Sequence, residues 1–212
     1  MIITVFGSTG QVGKRIVQMA LGQGHKVRAF SRDITKLIDA DNHNEMLEAV
    51  QGYVFDEQDV FDAVNGSDAV LSALGGNFKN IDQTRSLGMK NIVAQMEKAG
   101  VKRILSVGGM GLLDDETYTY RFLSPDYPAV FKEVGAEHFA AFEYLQQSSL
   151  NWTVMCPPDI KDADVTVEYI TSVNVKPEPF KNGINAGDIA DFMLKNISTN
   201  EYLYQRIGIC SK

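Results

Sequence analysis

Seven residues near the start of the chain, Gly7-Ser8-Thr9-Gly10-Gln11-Val12-Gly13, place glycines at i, i+3 and i+6 between a β-rich run and a helical pattern. The run before them, Ile2 to Phe6, is short and stops at Gly7. After Gln11 the apolar residues Val12, Ile16, Met19 and Ala20 recur at helical spacing until Gly22 and Gly24 close the segment. Strand, glycine turn and helix in that order leave few folds open. The first glycine permits a tight turn, the second lets backbone N–H groups approach an anion with no Cβ between, and the third lets helix pack closely on strand. The start of the helix adds unpaired donors and the positive end of its dipole. Glycines at this spacing also mark plain turns. In this context they predict a dinucleotide-binding cradle to which Gly7, Ser8, Thr9, Gly10, Gln11, Val12 and Gly13 all contribute.

The chain then keeps alternating. Lys26 to Ser31, Gly52 to Phe55, Asp68 to Leu74, Val101 to Val107, Asn151 to Cys156 and Tyr202 to Ile209 read as strands. Helical patterns separate them: a short one from Glu57, then Asp82 to Ala99, Phe131 to Gln147 and Ala186 to about Asn196. The run from Ala69 to Leu74 is almost continuously apolar, as a strand buried on both faces requires. The alternation predicts an α/β, single-domain Rossmann-type doubly wound parallel sheet over residues 1–212, with helices on both faces. Two less regular segments, 110–130 and 159–185, follow strand ends and are expected to shape a substrate pocket.

Strand ends also supply the remaining cofactor candidates. Ser31-Arg32-Asp33 closes the second strand, where a dinucleotide presents its adenosine ribose. Arg32 would pair a 2′-phosphate through a charge-assisted fork, with Ser31 beside it and Arg28 as a further cation, so NADP(H) is preferred. Asp33 leaves NAD(H) open, since a carboxylate there accepts from the ribose hydroxyls. Asp56 is either an acceptor for the adenine amino group or a helix N-cap. Leu74 with Gly75, and Ser106, Val107 and Gly108, end two further strands with small residues against which a ribose could lie.

Taken together, these residues resemble the atypical branch of the short-chain dehydrogenase/reductase superfamily. The likeness is carried by GSTGQVG at 7–13, SRD at 31–33, Ser106, LNWTVMCPP at 150–158 and NAGDIADF at 185–192. Within that branch the chain is similar to the biliverdin reductase B/flavin reductase group and to NmrA-like NADP-binding proteins, over nearly its whole length. The resemblance implies hydride transfer from NADPH to a small planar acceptor, a flavin or quinone, or else a non-catalytic NADP(H) sensor of NmrA-like type. It also implies that Pro157 and Pro158 lie beside the nicotinamide and that His138 lies near the substrate.

The sequence departs from the superfamily in two places. No tyrosine is followed by a lysine four residues later; Tyr127 and Lys132 are five apart. The serine that the group carries after the fifth strand falls at Gly109. Catalysis would therefore rest on placing the hydride more than on a dedicated acid. His138, the one catalytic candidate, is either a proton relay or a buried histidine tied to backbone. Tyr118, Tyr120, Phe122 and Tyr127 either stack on a ligand or pack their own loop.

Composition removes other classes. Twenty Lys and Arg against 27 Asp and Glu leave a net charge of −7, which offers no broad basic surface for nucleic acid or an anionic membrane. Two cysteines and three scattered histidines suggest neither a disulfide framework nor a metal site. No run approaches the ~18 apolar residues of a membrane span, and the first residues lack a basic start, so a soluble, cytoplasmic protein is expected. The oligomeric state stays open.

Overall fold

The computed structural model describes residues 1–35, 44–76 and 82–212. Five strands alternate in register as the sequence requires: β1 (Ile2–Phe6), β2 (Lys26–Ser31), β4 (Ala69–Ser72), β5 (Arg103–Val107) and β6 (Asn151–Cys156). With β3 (Leu47–Gln51), β8 (Tyr169–Val173) and β10 (Gln205–Ser211) they build one eight-stranded sheet, ordered β3-β2-β1-β4-β5-β6-β10-β8. Two short strands, β7 (Ile160–Lys161) and β9 (Ile184–Asn185), pair separately. The chain winds outward from β1 to β3, then returns to start again at β4 on the other side of β1. The reversal opens a crevice between the C-terminal ends of β1 and β4, the usual ligand position in doubly wound sheets.

The two-residue period of the strands sorts side chains onto two cores. Ile3 and Val5 of β1, Leu71 of β4 and Leu105 of β5 pack against α1 (Gln11–Gly22) and α5 (Ala186–Lys195), through residues such as Ile16, Ile189 and Met193. On the other face Phe6, Val70 and Ile104 meet α2 (Glu57–Val64), α3 (Thr84–Ala99) and α4 (Lys132–Gln146), through Val60, Ile92, Met96 and Leu145. Ser72 and Ser106, paired across β4 and β5, belong by their register to this second face. The polar Thr4 also points there, and its hydroxyl donates to the Ala63 carbonyl at 2.7 Å.

Two expectations need correction. The third strand is Leu47–Gln51, not Gly52 to Phe55. Leu47–Gln51 is an edge strand, half exposed, whose Glu48 pairs with Arg28 at 3.3 Å, and its polar residues hide the alternation. The apolar Tyr53-Val54-Phe55 that follows is a turn, because Asp59 accepts from the Tyr53 N–H at 2.9 Å and the Tyr53 carbonyl accepts from the Asp56 N–H at 2.9 Å. Those bonds take the groups that a strand ladder would use. The sheet is also not wholly parallel. Part of the segment expected to be irregular, 159–185, forms β8, which pairs antiparallel with β10.

One half-buried cation ties the sheet to a helix end. Arg103 donates to the Asn151 carbonyl at 3.0 Å and Thr153 Oγ1 at 2.8 Å, and to the carbonyls of Asn196 at 2.9 Å and Ile197 at 3.2 Å beyond α5. Burial pushes its guanidinium down to about 10. Replacing Arg103 with Met keeps the stem and leaves those acceptors without a donor. The variant is expected to lose about 2–3 kcal/mol of stability in urea unfolding; a loss below about 0.5 kcal/mol would show that water replaces the bonds at no cost.

Candidate functional site

The glycine turn sits at the crevice between β1 and β4. Gly7 has a φ of 73°, and a Cβ there would overlap the Ala73 carbonyl at the end of β4. The Gly7 carbonyl accepts from the Gly10 N–H at 3.0 Å, which closes the turn. A Cβ on Gly13 would overlap the Gly7 carbonyl, so the helix can approach this closely only with glycine in its first turn. Gly10 caps α1 without any side-chain bond, and the first turn carries no acid. By contrast, α2 is capped by Asp56, which accepts from Gln58 and Asp59 at 2.8 and 2.9 Å, and Glu57 and Asp59 follow in its first turn. The N-terminus of α1 therefore keeps its donors and its positive end for an anion. Its geometry fits a dinucleotide diphosphate.

The individual candidates divide. Ser8 is buried, and its hydroxyl donates to the Phe30 carbonyl at 2.9 Å, so the side chain fastens the turn to β2. Thr9 Oγ1 and Ser31 Oγ lie 3.3 Å apart and join the turn to the end of β2. Arg32 is exposed there, and its charge reaches Asp82. Burial opposes ionisation of Asp82, but hydrogen bonds with Thr84 and the Arg32 charge outweigh it and hold the carboxyl below its ordinary range. Asp33 accepts from the Thr35 N–H at 3.0 Å and the Thr35 hydroxyl at 2.6 Å, so its carboxylate organises the next segment. Asp56 is a helix cap, which takes its carboxylate for α2. Gly75 has open space where a side chain would stand.

Beyond β5 and β6 lies a cavity of about 480 Å³. Pro157, Pro158, Gly108 and His138 line it, as do Gly109 and Tyr127. Both less regular segments contribute to its wall, through Arg121 and Tyr127 from one and Lys176 and Phe180 from the other. Among the four aromatic residues of the first segment, Tyr127 alone reaches this cavity. Tyr120 packs edge-on against Phe139 and Phe142 at 5.2 and 5.7 Å, and Phe122 stacks on Phe139 at 5.4 Å. Tyr118 lines a separate, more open depression of about 640 Å³ beside Asp115. Burial raises the Tyr127 phenol above its ordinary value, against the opposing charge of Arg121. Lys132 is exposed and is not among the cavity's lining residues.

A second, much smaller cavity of about 20 Å³ lies behind the first. Ser106 lines this one and not the larger, which corrects its placement beside the cofactor: the two-residue period turns its side chain under α3 and α4. His138 borders both cavities. Its burial, and then the nearby Arg85 guanidinium, push the imidazole down to about 3. A ring lowered this far is neutral near neutral pH, which weighs against its holding a relayed proton as an imidazolium. No backbone group bonds it among the described residues, so the backbone-tied alternative fails too.

Sequence reasoning missed two sets of residues. Arg15 and Lys14 on α1 bind Asp162 at 2.6 and 3.0 Å, and Arg15 also binds Asp164 at 3.0 Å, tying the 162–164 loop over the helix beside the glycine turn. Arg85 donates to the Gly76 carbonyl at 3.2 Å and stands between the strand-end loop and His138. Neither set carries a local pattern that could have revealed it. Among the described residues no group of three or more His, Cys, Asp or Glu could hold a metal, and none of the helices is long and apolar enough to cross a membrane. His43 lies outside the described residues.

Comparison with known proteins agrees with the geometry. The sequence profile of NAD(P)H-binding proteins matches residues 7–200. The uncharacterized protein YwnB of Bacillus subtilis is 27% identical, with 100% of this chain and 99% of that protein covered. A Burkholderia pseudomallei protein described as exported superposes with a TM-score of 0.81 at 28% identity, covering 99% of each chain. A Streptococcus pneumoniae protein carrying the provisional name NADH-flavin reductase superposes with a TM-score of 0.79 at 26% identity, covering 100% of each chain.

Two outcomes are expected of this geometry. Gly13→Ala should abolish measurable NADPH binding and cost about 1–3 kcal/mol through overpacking, whereas Gly22→Ala, with open space at that position, should bind normally. Normal binding by both variants in a fluorescence titration would remove the turn from the site. His138 gives a pH signature. Its folded value of about 3 lies below the ordinary 6.5, so between these limits the unfolded chain holds a proton that the folded chain does not. That contribution makes stability fall as pH falls through the window. His138→Gln should therefore show a shallower loss of melting temperature on acidification than the parent, and parallel curves would contradict a neutral His138.

Proposed function

The chain belongs to the NAD(P)H-binding family, and from that premise we propose that it is an NADPH-dependent reductase passing hydride to a flat, conjugated acceptor such as a flavin or quinone. The observation that carries the proposal is the cavity at the ends of β5 and β6, next along the sheet from the glycine turn and walled by proline, glycine and aromatic groups. A dinucleotide whose diphosphate rests on α1 points its nicotinamide toward that half of the sheet. Bound there, the cofactor supplies a hydride.

What this chain's residues contribute is placement. Pro157 and Pro158 have no N–H to donate and a fixed φ, which makes a rigid wall without competing donors. Gly108 and Gly109 keep the opposite edge clear of side chains. A Cβ at Gly109 would come within 3.1 Å of His138, so glycine there lets the imidazole stand in the wall, where the related group places a serine. Tyr127 keeps its proton and offers an O–H at the cavity edge. The name of the Streptococcus pneumoniae relative supports a flavin as acceptor. The same reading makes the protein a cytoplasmic enzyme of small molecules with no nucleic-acid or membrane partner.

One observation favours a second reading, a non-catalytic NADP(H)-binding regulator of NmrA-like type. With the His138 ring lowered and the Tyr127 phenol raised from their ordinary values, neither is a ready proton donor near neutral pH. A flavin or quinone acceptor takes its proton from water, so reduction does not require one.

The two readings separate in a single assay. NADPH oxidation with a panel of flavins and quinones is expected to exceed the buffer rate. NADPH binding without turnover on any of them would sink the reductase reading and leave the regulator. Cofactor choice has its own test in Arg32→Ala. Loss of a charge-assisted phosphate contact should weaken NADPH by ~1.5–3 kcal/mol while NADH is barely affected. An equal loss for both would mean that another residue selects.

A further inference from the structure

We propose that one ordered water sits between Arg85, Ser72, Ser106 and His138 and fixes the His138 ring as the tautomer whose Nε2–H faces the acceptor cavity. Arg85 and Ser72 are then positioning residues for that N–H. The inference rests on the reductase reading only in calling the larger cavity an acceptor site.

The starting point is a pair of unmet bonds. Ser72 Oγ and Arg85 Nε are buried, and neither has a hydrogen-bond partner among the described residues. Leaving such groups unpaired costs about 1–3 kcal/mol each, and native interiors rarely do so. Both side chains border the cavity of about 20 Å³. A single water needs roughly 10–15 Å³, so the space has room for a water. Ser106, which sits beside Ser72 in the strand register, and His138 also line it, and the remaining lining side chains are apolar, among them Leu74, Met89, Leu112 and Phe142. A site with four polar side chains and room for a molecule is what buried water requires.

Counting donors then sets the direction of every bond. A guanidinium N–H can only donate, so the water accepts from Arg85 Nε. The Ser72 hydroxyl has no protein acceptor, so its hydrogen also goes to the water. Those two bonds occupy both lone pairs of the water. It can only donate to what remains, and the ring nitrogen that it meets must be unprotonated. A neutral imidazole carries one N–H, which is thereby assigned to the other nitrogen. Burial and the Arg85 charge keep the ring neutral. A Cβ on Gly109, in the wall of the larger cavity, would lie 3.1 Å from His138 Cδ2 and 3.5 Å from both Cγ and Nε2, so the Cδ2 edge of the ring faces that wall. Nδ1 lies across the ring from Cδ2, on the side left for the water, and Nε2 is next to Cδ2. No other group hydrogen-bonds the ring among the described residues, so nothing competes for the tautomer. The consequence is a fixed neutral N–H aimed at the place where an acceptor gains negative charge, the arrangement in which a preorganised donor counts most.

The test reads the ring directly. ¹⁵N-labelled protein without acceptor should show His138 with a protonated Nε2 and a bare Nδ1. A crystal structure should show one water within hydrogen-bond distance of Ser72 Oγ and Arg85 Nε. A protonated Nδ1, or a dry cavity, overturns the proposal in the wild-type protein, before any variant is made. Ser72→Ala returns one lone pair to the water, and the ring should then populate both tautomers, with kcat falling about tenfold at unchanged KM for NADPH. A Ser72→Ala ring still held as Nε2–H would equally overturn it. Because the nitrogen signals need no substrate, an absence of turnover on every acceptor bears on the reductase reading alone.

Discussion

The fold depends on how closely the first turn of α1 lies against the turn that precedes it. Gly7 sits in the left-handed region with the Ala73 carbonyl where its side chain would be, and Gly13 sits where a side chain would displace Gly7. These two contacts bring the ends of β1, β4 and α1 to one point. The apolar pattern of α1 then seats Val12, Ile16 and Ala20 on the same core as Ile3, Val5 and Leu71. The cost of glycine in a helix, about 1 kcal/mol relative to alanine, is accepted at Gly13 because the alternative is an overlap with backbone that cannot move aside.

The electrostatics at this point come from backbone and not from side-chain cations. Lys14 and Arg15 lie in the first turns of α1, yet both are engaged by Asp162, and Arg15 by Asp164 as well. What remains for an anion is the ring of N–H groups at the helix start, with neither cap nor acid to neutralise it. A chain of net charge −7 can therefore bind a dinucleotide without a basic surface. The same ion pairs hold the 162–164 loop near the turn. The cradle and the segment that walls the larger cavity are thus mechanically joined through α1.

How much of this was legible in the sequence follows from which interactions are local. The glycine turn, the strands β1, β4 and β6 and the helices α3, α4 and α5 were readable because each is set by a periodicity within its own segment. The edge strand β3 was not, since an edge needs only one partner and tolerates Glu48 and Gln51, while the more strand-like Tyr53-Val54-Phe55 gives its backbone bonds to a turn. Among site residues, Gly7, Gly10 and Gly13 form the turn between β1 and α1 that their spacing implied, while Pro157 and Pro158, which only the resemblance had singled out, follow β6 and line the larger cavity. Ser8 and Ser106 lie at strand ends too, but a hydroxyl can turn inward, and register alone decides which way it points. The bonds of Arg15 to Asp162 and Asp164 span 147 and 149 residues, and such pairs leave no trace in local pattern.

The two faces of the sheet carry different kinds of core, and that difference bears on where chemistry can occur. Under α1 and α5 the strand ends are filled with Val5, Leu71, Leu105 and Met155, which fix the sheet and leave little polar to act. Under α3 and α4 the last inward residues of β4 and β5 are serines, and Arg85 and His138 close over them from the two helices. A half-buried guanidinium beside a neutral imidazole costs stability, and burial lowers both groups from their ordinary values. An apolar replacement of similar volume would pack at least as well, so packing does not account for the cluster. Its position does: His138 alone among these polar side chains also borders the larger cavity, and through it a polar cluster beneath two helices reaches that cavity's wall.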